Sequence, residues 1–593
     1  MPLARALVAL SLLPLALGTA APAVAGPEPG DPAYTTRDAQ NIAAAYGRVT
    51  EGQLQNPAYL PALVQAATQE GVDQLLTQAA TPTRPAITPG NVFPGWNVGN
   101  PLRAGWERTR GRMTPVAFTN RYGALLRGHV YRPRPGAVDP YTGEELHGPF
   151  PGVVITEGSV QGSEGMYEWL AQDLAERGYV VLTYDVQGQG TSETFPHQDS
   201  PADTNALPFC NPFAEPGDGE MSGCPGVPSQ QLSNFVVGTR NALGFFTSTP
   251  DRPYRNKAAG GADVTAYNPY WRLFDRSPDD RTVTPGRTTR IAIIGHSMGA
   301  AAVSKVQGID DRVEAVVALD KLTGPGSDGP LDGSGNKPTV PALAVQSEYG
   351  FTVTPWFMSG GSSLTPQPSP DGPDPMRERR TGFDAWRRAG VDSMLVVPRA
   401  STHLEYTDIP LVLPASRYGQ DLTSVYVQRW LDRYLKHRDP DLLDTSFRYL
   451  EPVGDGTWEP VALQRDRLLS FYYCSAYSLH TGAGHRSSGD ITGVGCPADA
   501  TASVVDDAVH AVVVAVADGA AEHRDQQRSE QDDQAGHQGF PAQLVGRERD
   551  ARQVDPVENV VLPAEDGAQH HGHDRDQQPD GPHPEPLPGA VEA

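Results

Sequence analysis

A short apolar run, Ile291 to Ile294, leads into Gly295-His296-Ser297-Met298-Gly299, and a row of small residues, Ala300 to Val303, comes next. Four consecutive apolar residues read as a strand buried on both faces of a parallel sheet, and the small residues read as a helix that packs closely on it. The join must then be a sharp turn that tolerates little bulk, which accounts for glycine two residues before and two after Ser297. A serine hydroxyl is a poor nucleophile unless it is held exposed beside a base and donors for an oxyanion. A strand-to-helix turn supplies that exposure. The five-residue pattern alone is weakly specific in a chain with 62 glycines, so the flanking strand and helix carry the reading.

The same alternation runs through the middle of the chain. Val116 to Asn120 and Ala124 to Tyr131, split by Arg121-Tyr122-Gly123, read as an antiparallel hairpin. Strands are expected at Gly152 to Thr156, Tyr179 to Tyr184, Arg290 to Ile294, Val313 to Leu319, Pro341 to Gln346 and Ser393 to Val397. Helices are expected at Tyr167 to Arg177 and Asn234 to Phe246, and Val425 to Lys436 closes the series. Strands alternating with helices predict an α/β fold, a mostly parallel sheet covered on both faces. Residues 26–110, rich in Pro, Ala and Gln with a weakly amphipathic helix near Leu60 to Ala80, read as an N-terminal extension wrapping that core, which spans 111–500. Long Pro/Gly-rich insertions at 193–231 and 251–287, and a further loop at 349–376, interrupt it as lids or rims.

Composition bounds the setting. Arg5, the apolar run Ala6 to Leu17 and Ala23-Val24-Ala25 predict a secretory signal peptide over 1–25, cleaved after Ala25, and hence an exported protein. No later segment offers eighteen uninterrupted apolar residues, so no membrane span is expected. A net charge of −24 over 593 residues, with no basic stripe, argues against a nucleic-acid partner. Four cysteines in an exported chain suggest two disulfides, and their order suggests Cys210 with Cys224 and Cys474 with Cys496 among three possible pairings. No cysteine or histidine spacing supports a metal site. The tail, 501–593, is dense in Gln, Asp, Glu and His; His570, His571 and His573 invite a metal reading, but solvated disorder is preferred.

Four motifs occur in a telling order: Gly152 to Ser159, Thr183 to Ser192 with its Asp185 and Gly188-Gln189-Gly190, Gly295 to Gly299, and Ser401-Thr402-His403. Over residues 115 to 440 the chain resembles the α/β-hydrolase superfamily, within it the exported actinobacterial serine hydrolases distantly related to cutinases, lipases and dienelactone-hydrolase-like esterases. The resemblance implies an α/β-hydrolase fold, no cofactor, and hydrolysis of a small-molecule, lipid or polyester ester through an acyl-enzyme. Ser297 is the expected nucleophile. His403, in a loop past a strand, is the expected base, whereas His437 reads as surface and His480 and His485 lie beyond the core. The acid should sit at a strand end between them; Glu348 is preferred and Asp320 is the alternative. The N–H of Met298, after the nucleophile, and that of Ser159, by the family position, are the expected oxyanion donors. The turn after Asp185 is expected to shape a loop. A peptidase or acyltransferase on the same fold, or a non-catalytic envelope binding protein, are the competing readings.

Overall fold

A computed structural model describes residues 27–80, 93, 95–159, 162–194, 231–277, 290–325, 333, 335–359, 372–491 and 494. The expected signal segment, the tail, Cys210, Cys224 and Cys496 lie outside these residues. The strands among them are β1 Gly111–Thr119, β2 Leu125–Pro133, β3 Gly152–Thr156, β4 Val180–Tyr184, β5 Ile291–His296, β6 Ala315–Leu319, β7 Ala342–Val345, β8 Ser393–Val396, β9 Ser446–Gly454, β10 Thr457–Gln464, β11 Ala476–Thr481 and β12 Gly484–Ser488. Ten of them form one sheet in the order β1-β2-β4-β3-β5-β6-β7-β8-β11-β12. From β4 through β8 neighbouring strands run parallel. The antiparallel hairpin β1-β2 pairs onto β4 at one side, and β11-β12 pairs antiparallel onto β8 at the other.

Every residue of β3, β4, β5, β6 and β8 is buried, which is why these strands read as unbroken apolar runs. Successive side chains go to opposite faces. Val154, Ile293 and Val316 meet Phe235, Leu243 and Phe246 of the helix Leu232–Phe246 and Ala302, Val303 and Val306 of the helix Met298–Val306. Val153, Ile155 and Ile294 meet Trp169, Leu170 and Leu174 of the helix Glu168–Ala175 and Tyr426, Trp430 and Leu431 of the helix Gly419–Tyr434. Each buried Val, Leu or Ile of these layers contributes about 1.5–3 kcal/mol.

Two expectations need correction. The helix expected at Val425 to Lys436 begins at Gly419 and does not close the series, because the chain continues into β9-β10, a separate two-stranded sheet, and β11-β12, which extend the main one. Those strands are partly exposed and interleave charged with apolar residues, so they lack the apolar runs that mark the centre. The described part of the 251–287 insertion is no lid over the strand ends that carry Ser297. Leu273 O and Asp275 N bond Phe150, just before the start of β3, while Thr265 N bonds Ala117 O and Tyr254 packs edge-on against Phe118 and Phe245. The N-terminal region contains a helix before the expected one, Pro32–Ala44, as well as Tyr59–Ala80.

Candidate active site

Parallel strands present all their C-terminal ends to one edge of the sheet, and polar residues there converge. Ser297 follows β5 at φ 56°, ψ −119° and opens the helix Met298–Val306. Its N–H donates to Leu319 O at 2.9 Å, which ties the turn to the end of β6. A Cβ at residue 295 would lie 2.1 Å from Gly299 O, and one at 299 would lie 2.4 Å from Glu157 O, so the turn closes only with glycine at both places.

His403 comes from the loop after β8, where its N–H donates to Gly350 O at 3.1 Å. Its Nε2 lies 2.9 Å from Ser297 Oγ and its Nδ1 lies 2.6 Å from Asp320 Oδ2. An ionised carboxylate only accepts, so Nδ1 carries the proton and the Nε2 lone pair faces the serine hydroxyl. Asp320, directly after β6, also accepts from Ser347 Oγ at 2.7 Å and Ser347 N at 3.3 Å. Burial alone would push the Asp320 carboxyl up; the hydrogen bond from His403 and the charges of His403 and Lys321 outweigh it and hold it well below the usual carboxylate range. The Phe351 ring lies 4.5 Å from that of His403, whose side chain is only 10% exposed. Ser297, Asp320 and Ala400 all have positive φ, 56°, 44° and 59°, so backbone strain gathers on the three segments that meet here.

Glu348, the preferred acid from sequence, does not reach His403. Its buried carboxylate accepts from Asn41 Nδ2 at 2.5 Å, Ala400 N at 2.6 Å and Ser470 Oγ at 2.6 Å. Past the end of β7 successive side chains still diverge, so Ser347 faces Asp320 and Glu348 faces the other way. It serves as a fastener. The N-terminal helix Pro32–Ala44, the loop carrying His403 and the segment at Ser470 all meet on it, and burial pushes its pKa up despite those hydrogen bonds.

Of the two expected oxyanion donors, Met298 is the first residue of a helix, where N–H groups have no acceptor within the helix. Ser159 follows Gly158, at which a Cβ would stand 3.2 Å from Ser297 Cβ. The N–H of Gly158 itself donates to Tyr167 Oη at 2.9 Å. His296 lies beneath Ser297, Nδ1 2.7 Å from Tyr167 Oη and Nε2 2.9 Å from His403 O. Burial, with the adjacent His403, pushes its pKa down to about 3. Sequence reading gave no role to His296, Tyr167, Ser347 or Asn41; only His296 had a signal, its place inside the serine motif.

The remaining candidates lie elsewhere. His480 and His485 sit on β11 and β12 at the sheet edge, with His480 Nδ1 2.6 Å from Asp392 Oδ1. Cys474 is buried, and its expected partner Cys496 is outside the described residues. Among the described residues no cluster of three or more His, Cys, Asp or Glu is placed to hold a metal, and no helix is long and apolar enough to cross a membrane.

The sequence matches no protein-family model. A protein of Pseudomonas aeruginosa described as uncharacterized protein PA2218 is 30% identical over 140 residues, which is 23% of this chain and 35% of that protein. The match thus spans about a third of the relative's length. A ferulic acid esterase from Streptomyces cinnamoneus aligns at 16% identity and a TM-score of 0.32, over 56% of this chain and 92% of the esterase. No function follows from likeness at that level.

Proposed function

We propose that the protein is an exported serine hydrolase of the α/β-hydrolase type that cleaves carboxylic esters through an acyl-enzyme. One observation carries this reading: Ser297 Oγ, the His403 ring and the Asp320 carboxylate contact one another in series, at 2.9 Å and 2.6 Å. In this scheme His403 Nε2 takes the hydroxyl proton as Ser297 attacks the ester carbonyl, and the N–H groups of Met298 and Ser159 receive the charge that develops on oxygen. His403 then gives the proton to the leaving alcohol, and in the second half it activates water against the acyl-enzyme. Asp320 holds Nδ1 protonated and stabilises the imidazolium. The choice of esters over peptides draws on the superfamily resemblance, and export draws on the leader expected over 1–25.

The test is hydrolysis of p-nitrophenyl esters from acetate to palmitate by the mature protein and by Ser297→Ala. Activity that disappears in the variant supports the reading, and the chain-length optimum places the substrate between small ester and lipid. If neither protein hydrolyses any member of the series, the ester reading fails in favour of a peptidase, an acyltransferase or a binding role.

A further inference from the structure

Resting on the serine-hydrolase reading above, we infer that Gln189 and Tyr167 are positioning residues that aim the Gly158–Ser159 peptide at Ser297, with His296 tying them to the loop of the base. Neither touches the reacting atoms. Gly158 has both of its backbone polar groups engaged: its N–H donates to Tyr167 Oη at 2.9 Å, and its C=O accepts from Gln189 Nε2 at 2.8 Å. A trans peptide is planar, with the C=O of one residue and the N–H of the next on opposite sides. Holding the Gly158 carbonyl on Gln189 therefore fixes the direction of the Ser159 N–H.

The clamp is itself well anchored. Gln189 is 0% exposed, and its Nε2 also donates to Glu157 Oε1 at 2.8 Å. Glu157 Oε1 in turn accepts from Val186 N at 2.6 Å, so the turn after β4 and the loop after β3 are joined by both side chains. A Cβ at residue 162 would stand 2.4 Å from Gln189 Nε2, which explains glycine there as the loop returns past the amide. Farther along the same loop, Glu164 N donates to Asp185 Oδ1 at 2.7 Å. The motif Asp185 to Ser192, which the sequence offered only as a loop-shaping turn, thus supports the donor loop from two points.

Hydrogen-bond direction joins this clamp to the base. The carbonyl of His403 can only accept, so His296 Nε2 carries the ring proton and Nδ1 is left to accept. Tyr167 Oη then donates to Nδ1 and accepts from Gly158 N–H, with no donor or acceptor conflict anywhere in the chain. The oxyanion donor loop and the base loop are held in common register around Ser297 by neutral groups.

The experiment compares Gln189→Leu and Tyr167→Phe with the wild type on a p-nitrophenyl ester, alongside binding of an alkyl boronic acid that mimics the tetrahedral intermediate. Removal of an oxyanion donor costs about 10²–10³ in kcat, and misdirecting one should cost less, on the order of 10- to 100-fold. The expected result is that fall in kcat, a KM changed by less than about two-fold, and boronic acid affinity weakened by the same factor as kcat. Folding is checked by circular dichroism, and two variants on different sides of Gly158 guard against one failing to fold. Folded variants with unchanged kcat, or with KM and kcat damaged while boronic acid affinity is retained, overturn the inference. An active, Ser297-dependent wild type with unimpaired variants sinks this inference alone; an inactive wild type sinks the serine-hydrolase reading and this inference with it.

Discussion

Two buried carboxylates lie near His403, and substituting each by its amide separates their roles. In Asp320→Asn the amide oxygen belongs at the Oδ1 position, where Ser347 N donates, so the amide nitrogen takes the Oδ2 position 2.6 Å from His403 Nδ1. A donor facing Nδ1 forces the ring to carry its proton on Nε2, and that tautomer cannot accept the Ser297 proton. Where this wrong tautomer has been imposed on a serine triad, kcat falls about 10⁴-fold, or about 5.5 kcal/mol at about 1.36 kcal/mol per tenfold. Glu348→Gln is expected to behave differently. Its amide oxygen can keep the bonds from Asn41 Nδ2 and Ala400 N, but its nitrogen faces Ser470 Oγ, which already accepts from Tyr472 N and Tyr473 N, so that one bond is lost. Its kcat should stay within about ten-fold of wild type, with the loss appearing as stability, about 1.5–3 kcal/mol for weakened bonds to a charged group. The assay is steady-state ester hydrolysis with urea denaturation of both variants. A larger loss of kcat in Glu348→Gln than in Asp320→Asn would refute the assignment of the acid.

Gly158→Ala should keep the fold but lower kcat at least ~100-fold, because its Cβ would meet His296 Nδ1 at 2.9 Å and Ser297 Cβ at 3.2 Å, beside the donors for the oxyanion; steady-state kinetics with a melting curve check it. Asn41→Ala removes donors from Glu348 and Tyr349 and the acceptor of Arg399 Nε, and should destabilise by about 1.5–3 kcal/mol in urea titration, with the N-terminal helix becoming protease-sensitive first. His129 should make stability pH-dependent. Burial would lower its pKa, but the charge and hydrogen bond of Glu164 outweigh that and raise it from 6.5 to about 9. A raised folded-state pKa contributes stability that is complete below pH 6.5 and is lost as pH rises through 9, so urea midpoints should fall across that interval and His129→Gln should flatten the fall.

Much of the centre was legible because it is set by local chemistry. The strand Gly152–Thr156 appears with the expected bounds, since five apolar or small residues between turn signals admit little else. The turn at Ser297 was equally readable, because Gly295 answers a backbone contact only four residues on, at Gly299 O, although what crowds Gly299 is the distant backbone of Thr156 and Glu157. The added strands were not legible: β11, with Tyr477, Ser478 and His480 among its residues, becomes a strand only because the edge of β8 is there to pair with it. Nor could composition foretell that the 251–277 segment packs by the start of β3 rather than over Ser297.

The sequence by itself determined the order of elements, the serine at a strand-to-helix turn and a histidine in the loop after β8, because periodicity and turn residues act over short spans. Only the tertiary structure decided which of Asp320 and Glu348 faces the His403 ring. Both follow a strand, both are carboxylates and both are buried, so nothing local tells them apart. The difference is the direction each side chain takes as its strand ends, and what stands there: the His403 ring for Asp320, and Asn41, some three hundred positions away in the chain at a separation of 307, for Glu348.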